Sequence, residues 1–231
     1  GAAWPWRPTA LFALTATAAT GIALAPLYTS NRVIGLIWAD RKDDDIDAFP
    51  TFIDGADRGA IGICCAKLGE AEVFADAGIP DIRIPYPVHP SNADRVVQLL
   101  DRVQLSIITD LTETAREWSA AMTAAGRTLP VLVKVDVGFH RCGVDPHRPD
   151  AADFVAEVGR LPGLRLKGLL SHAGHCYLAG SRDEVRAIAC EEARLLTDLA
   201  ARARAKGAEI EEISVGATPT APFSATIAGV T

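Results

Sequence analysis

From residue 59 onward, short apolar runs rich in β-branched residues alternate with stretches of helical period. The runs cover residues 61–65, 82–85, 105–109, 131–136, 164–171 and 210–216. Runs this short and this apolar suit strands buried on both faces of a parallel sheet. Between them, Val96, Leu100 and Val103 share one face of an expected helix over 91–103, and Leu111, Ala115, Trp118 and Met122 do so over 112–125. The longest helix is expected over 182–206, opened by a capping box of Ser181 and Glu184 and stopped by Gly207. Ser91 with Asp94 gives a similar capping signal. The alternation makes six β/α units. An open doubly wound sheet and a (β/α)8 barrel both fit it, because their strand contents are alike.

Residues 1–58 break the pattern. Between Arg7 and Arg32 there is no charge, and the stretch is rich in Ala and Thr. A basic residue followed by an apolar stretch and small residues resembles a signal peptide. The Ala, Thr and Gly content is too weakly apolar to favour a membrane span. We read residues 1–58 as an atypical segment, non-native or partly disordered, and 59–231 as the folded unit.

Composition narrows the function. The chain has 231 residues, 49% of them hydrophobic and 23% charged, with a net charge of −6. That is a globular composition without a basic cluster, which argues against a nucleic-acid-binding surface. The five cysteines are odd in number and form no CxxC pair. A disulfide framework or a zinc site is not expected, and a reducing, cytoplasmic compartment fits best.

Ligands of α/β folds bind at the carboxyl ends of the strands, in either architecture. Three loops stand out there. VGFHRCGVDP follows 131–136, which ends on Asp136, and carries His140 and Arg141 between Gly138 and Gly143. HAGHCY follows 164–171 and offers His172, His175 and Tyr177. GATPT follows 210–215, where Gly216, Ala217 and Thr218 present small side chains, N–H groups and a hydroxyl. A strand-end arginine, flat ring side chains and a phosphate nest together suit a phosphorylated aromatic cofactor such as pyridoxal phosphate. Each loop alone also reads as an ordinary turn.

GAIGICCAKLGEAEV (59–73), KVDVGFHRCGV (134–144), GLLSHAGHCY (168–177) and ISVGATPTAP (213–222) together resemble one family. It is the pyridoxal-phosphate enzymes of the D-threonine aldolase and D-serine dehydratase type, which share the alanine racemase N-terminal barrel. The resemblance implies an α/β fold, a (β/α)8 barrel of which six units are present. It implies that Arg141 hydrogen-bonds the cofactor ring oxygen and that His172 packs against the pyridine ring. Tyr177 falls near the cofactor, and Gly216, Ala217 and Thr218 form the phosphate loop. Ala217 stands where the family often has serine.

The family's Schiff-base lysine lies at the end of the first barrel strand, in a stretch resembling P-H-x-K-T-H-K that this chain lacks. The five lysines are Lys42, Lys67, Lys134, Lys167 and Lys206. Residues 33–38 are expected to form that first strand, with Lys42 just past its end as the candidate amine and Lys67 as a fallback. The family continues into a β domain that supplies divalent-metal ligands, and no metal ligand is assigned within these 231 residues. The implied activity is lysis of a D-amino acid, as a D-threonine aldolase or a D-serine dehydratase. A racemase, a non-catalytic cofactor-binding protein and an inactive fragment are the alternatives. The expected partners are a small D-amino acid and a second copy of the chain, with neither nucleic acid nor membrane.

Overall fold

The computed structural model describes residues 22–29, 32–39 and 62–231. β1 (Ile22–Thr29) and β2 (Arg32–Ala39) pair antiparallel as a two-stranded sheet of their own. The expected first barrel strand, 33–38, therefore lies in this hairpin and outside the parallel sheet. Only two residues separate the two apolar runs, a spacing that favours pairing between immediate neighbours. Lys42 lies outside the described residues.

The six expected β/α strands form one parallel sheet in sequential order. They are β3 (Ile63–Cys64), β4 (Asp81–Pro87), β5 (Gln104–Thr109), β6 (Leu129–Lys134), β7 (Leu164–Leu170) and β8 (Glu212–Ser214). Five helices of eight residues or more follow strands β3 to β7: α1 (Leu68–Asp76), α2 (Ala93–Leu100), α3 (Thr112–Ala124), α4 (Ala151–Arg160) and α5 (Arg182–Arg204). The short α6 (Ala221–Ser224) follows β8. α1 and α4 are additions to the three helices expected from periodicity.

Caps behave unequally. Ser181 Oγ accepts the Glu184 N–H at 3.2 Å and opens α5, while Glu184 Oε2 accepts from the Gly180 N–H rather than from Ser181. Ser91 does not cap α2. It lies in a 3-10 turn (Pro90–Asn92) whose cap is His89, because Pro90 favours the first helical position and starts the turn early.

Two observations make the sheet a partial barrel rather than an open doubly wound sheet. Strand order is strictly sequential, so there is no reversal point. Arg83 on β4 also forms an ion pair with Glu212 on β8 at 2.6 Å. Four strand spacings separate β4 from β8, roughly 19 Å in a flat sheet. Two side chains meet across that gap only if the sheet curls. On the outer side Ile82, Ile107, Val131, Val133 and Leu169 join the core formed with the helices. On the concave side Ile108, Leu132 and Leu170 form a separate small cluster.

Candidate cofactor site

The loop after β6 is organised by Asp136. Its Oδ1 accepts the N–H groups of Gly138 at 3.0 Å and His140 at 2.9 Å, and its Oδ2 lies 3.0 Å from His140 Nδ1. Burial pushes the Asp136 carboxyl up, but these donors outweigh it and hold the pKa below the usual range. His140 takes a left-handed backbone, φ 54°, which the bonds to Asp136 stabilise. The loop thereby presents Arg141, whose guanidinium carbon lies 4.6 Å from the centre of the Tyr86 ring and 5.1 Å from that of Phe139.

Phe139 meets His172 edge to face, with ring centres 5.8 Å apart. Gly174 permits this approach: a Cβ there would lie 2.8 Å from the Phe139 ring and 3.0 Å from His172 Nε2. His172 Nδ1–H in turn donates to the Gly216 carbonyl at 3.1 Å, which leaves Nε2 as the free acceptor. Burial is the chief reason that the His172 pKa lies below its ordinary value. The three loops are thus joined in one line of contacts: Arg141, Phe139, His172, Gly216.

The loop after β8 is partly committed to itself. The Gly216 N–H donates to Glu192 Oε1 at 3.3 Å and the Ala217 N–H to Thr220 Oγ1 at 2.9 Å. Thr218 keeps its N–H and hydroxyl uncommitted among the described residues. Gly216 has φ 134°, and a Cβ built on it would meet nothing within 4 Å, so open space adjoins this turn. Tyr177 points to solvent, 59% exposed, and is not drawn into the cluster. His175 Nδ1 is buried and has no hydrogen-bond partner among the described residues. Among the described residues no three His, Cys, Asp or Glu side chains gather as a metal-ligand set.

Two buried ionisable groups at this end of the sheet were not among the expected site residues. Lys134 ends β6 and is 3% exposed. Burial is the main cause of its pKa falling to about 8, with Arg141 acting in the same direction and Cys142 and Glu192 against it. Glu192 on α5 is 1% exposed, and burial raises its carboxyl above the ordinary value. Both had a signal in the sequence. Lys134 follows Leu132 by two and so shares its concave face. Glu192 lies three residues after Ala189 and four before Leu196, inside the apolar stripe of α5. Lys67, the fallback amine, is exposed just before α1.

Residues 49–228 match the family model of the alanine racemase N-terminal domain. A D-threonine aldolase of an Arthrobacter species is 34% identical over 168 residues, which are 72% of this chain and 44% of the aldolase. An uncharacterized protein of Mycobacterium tuberculosis is 36% identical over 162 residues, covering 69% of this chain and 91% of that protein. The crystal structure of D-threo-3-hydroxyaspartate dehydratase from Delftia superposes with a TM-score of 0.73 at 31% identity, over 79% of this chain and 48% of the dehydratase. The chain thus spans about half the length of the named enzymes it matches. By fold, motif order and match, the chain belongs to the alanine racemase N-terminal domain family.

Proposed function

We propose that this chain is the cofactor-binding barrel of a pyridoxal-phosphate-dependent lyase acting on small D-amino acids. The observation that carries the reading is the line of contacts from Arg141 through Phe139 and His172 to Gly216. It offers a cation with no carboxylate partner among the described residues, a flat ring and an open glycine turn. Those groups fit a phosphorylated planar ligand. Arg141 would face the ring oxygen, His172 would pack on the ring, and Gly216 with Thr218 would receive the phosphate. With the Gly216 and Ala217 N–H groups engaged inside the protein, most of that last duty falls on Thr218. Bound there, the group supplies an electron sink for a carbanion at the substrate α-carbon.

The similarity to a D-threonine aldolase and to a D-threo-3-hydroxyaspartate dehydratase supports a β-hydroxy D-amino acid as substrate. Carbon–carbon cleavage, with D-threonine giving glycine and acetaldehyde, and dehydration of the β-hydroxyl are the two reactions this reading allows. All five cysteines are free, which supports a reducing, cytoplasmic setting. No helix among the described residues is long and apolar enough to cross a membrane.

The test is a titration of the purified chain with pyridoxal phosphate, read by absorbance, followed by borohydride reduction and peptide mapping. The reading requires saturable binding and one trapped lysine, with Lys42 as the expected position. Arg141→Ala should weaken binding about tenfold, the loss of one charge-assisted contact of about 1.4 kcal/mol. Unchanged affinity removes Arg141 from the site. Glycine and acetaldehyde from D-threonine identify an aldolase; a keto acid with ammonia identifies a dehydratase.

A further inference from the structure

Glu192 is the most costly side chain to bury in α5. The helix turns Val185, Ala189, Leu196 and Leu199 to the same side, and a carboxyl among them needs hydrogen bonds to be tolerated. Those bonds all come from two loops. Glu192 Oε1 accepts the Ser171 hydroxyl at 2.6 Å and the Gly216 N–H at 3.3 Å. The Ala173 N–H faces the same carboxyl and favours its charged form. Ser171 and Ala173 are the residues on either side of His172, and Gly216 supplies the carbonyl that His172 Nδ1–H reaches. One carboxyl thus holds the residue just before the histidine and the residue that sets its tautomer.

We infer that Glu192 is a positioning residue: it latches the loop after β7 to the loop after β8 and so fixes the His172 ring at the candidate cofactor site. The latch itself stands on this geometry, and its consequence for cofactor binding rests on the proposed function. The groups facing the carboxyl are Lys134 from β6, Ser171 and Ala173 from the end of β7, Cys176 from the 3-10 turn that follows, and Gly216. Burial favours the protonated acid, while the Ser171 and Gly216 donors and the Lys134 charge oppose it. Oε2 has no partner. Glutamine therefore reproduces the useful half of the group, a carbonyl-type oxygen at Oε1, without a charge to bury.

The experiment follows the His172 ring by NMR as a function of pH in the ligand-free protein, then measures pyridoxal phosphate affinity. In Glu192→Leu the loops separate and water reaches the ring. Its titration midpoint should then rise toward the ordinary histidine value, and affinity should fall about tenfold. Glu192→Gln should hold the midpoint within about 0.3 unit and affinity within about twofold. A folded Glu192→Leu protein whose His172 titrates as in the wild type overturns the latch. So does a Glu192→Gln protein that shifts as far as Glu192→Leu. Should Glu192→Leu fail to fold, Ser171→Ala removes one arm and should move the midpoint in the same direction by a smaller amount; no movement there overturns the inference equally. A wild type that shows the His172 response yet binds no pyridoxal phosphate keeps the latch and removes the cofactor reading.

Discussion

On the outer side of the sheet, Ile82, Ile107, Val131 and Leu169 merge with the helices into one continuous apolar core. On the concave side, the apolar cluster is only Ile108, Leu132 and Leu170. Toward the amino ends of the strands that cluster gives way to Arg83 and Glu212, paired across the barrel at 2.6 Å, and to Lys167, which lies 3.5 Å from Glu212 on the neighbouring strand. Toward the carboxyl ends it gives way to Lys134. Both faces come from the same alternation of side chains along the same strands. The outer face is closed by helices and carries stability. The concave face is layered, and its ionisable groups are held where desolvation can tune them. The candidate site lies at the end of the face with the smaller apolar cluster.

The largest expected effect tests the outer face. Trp118 on α3 is fully buried and its Nε1–H donates to the Val88 carbonyl at 3.0 Å. Trp118→Ala should cost about 4 kcal/mol, from the cavity and from the carbonyl left unpaired. Urea unfolding measures it, and a loss below about 1 kcal/mol would mean that the helices do not seal this side.

The next effect has the opposite origin. The charged form of Lys134 is disfavoured by burial, so its folded pKa of about 8 lies below the ordinary 10.5. At pH 7 the amine is protonated in both states, and its buried charge weakens the fold. Between these two values the unfolded chain keeps a proton that the folded chain has released, so stability rises with pH, by up to about 3 kcal/mol, and then levels off. Lys134→Met should flatten that rise and raise stability at neutral pH. A wild-type profile already flat from pH 8 to 10.5 would place the Lys134 amine in water.

The two faces were unequally legible in the sequence. The outer face is read from short apolar runs, and all six expected strands of the sheet are present, with ends displaced by at most two residues. α1 and α4 give no clear helical period because each is short and interrupted by small residues: Gly69, Ala71 and Ala75 in one, Ala151, Ala152 and Gly159 in the other. The concave face depends on which strand ends meet, and one-dimensional spacing does not contain that. Arg141, His172 and Gly216 were named because their loops carry recognisable chemistry. Phe139 and Tyr86, which hold Arg141, have no such mark. Residues 33–38 had the composition of a barrel strand and formed a hairpin, because a partner lay two residues away.

The smallest effect compares one leucine from each face. Leu105 on β5 and Leu132 on β6 are both buried, at 1% and 0% exposure. Leu105 belongs to the helix-facing core and Leu132 to the three-residue inner cluster. Truncation of Leu105 opens a cavity among packed helices that cannot collapse, at an expected cost of about 4 kcal/mol. Leu132→Ala opens one beside an interior already shared with charged and polar groups. Water can enter there, and few apolar contacts are lost, so the cost should be about 2 kcal/mol. Equal losses in parallel urea titrations would mean that the inner cluster is as tightly enclosed as the outer core. The layered concave face would then have to be redrawn as a second sealed core, with Lys134 and its neighbours cut off from any ligand entering from the strand ends.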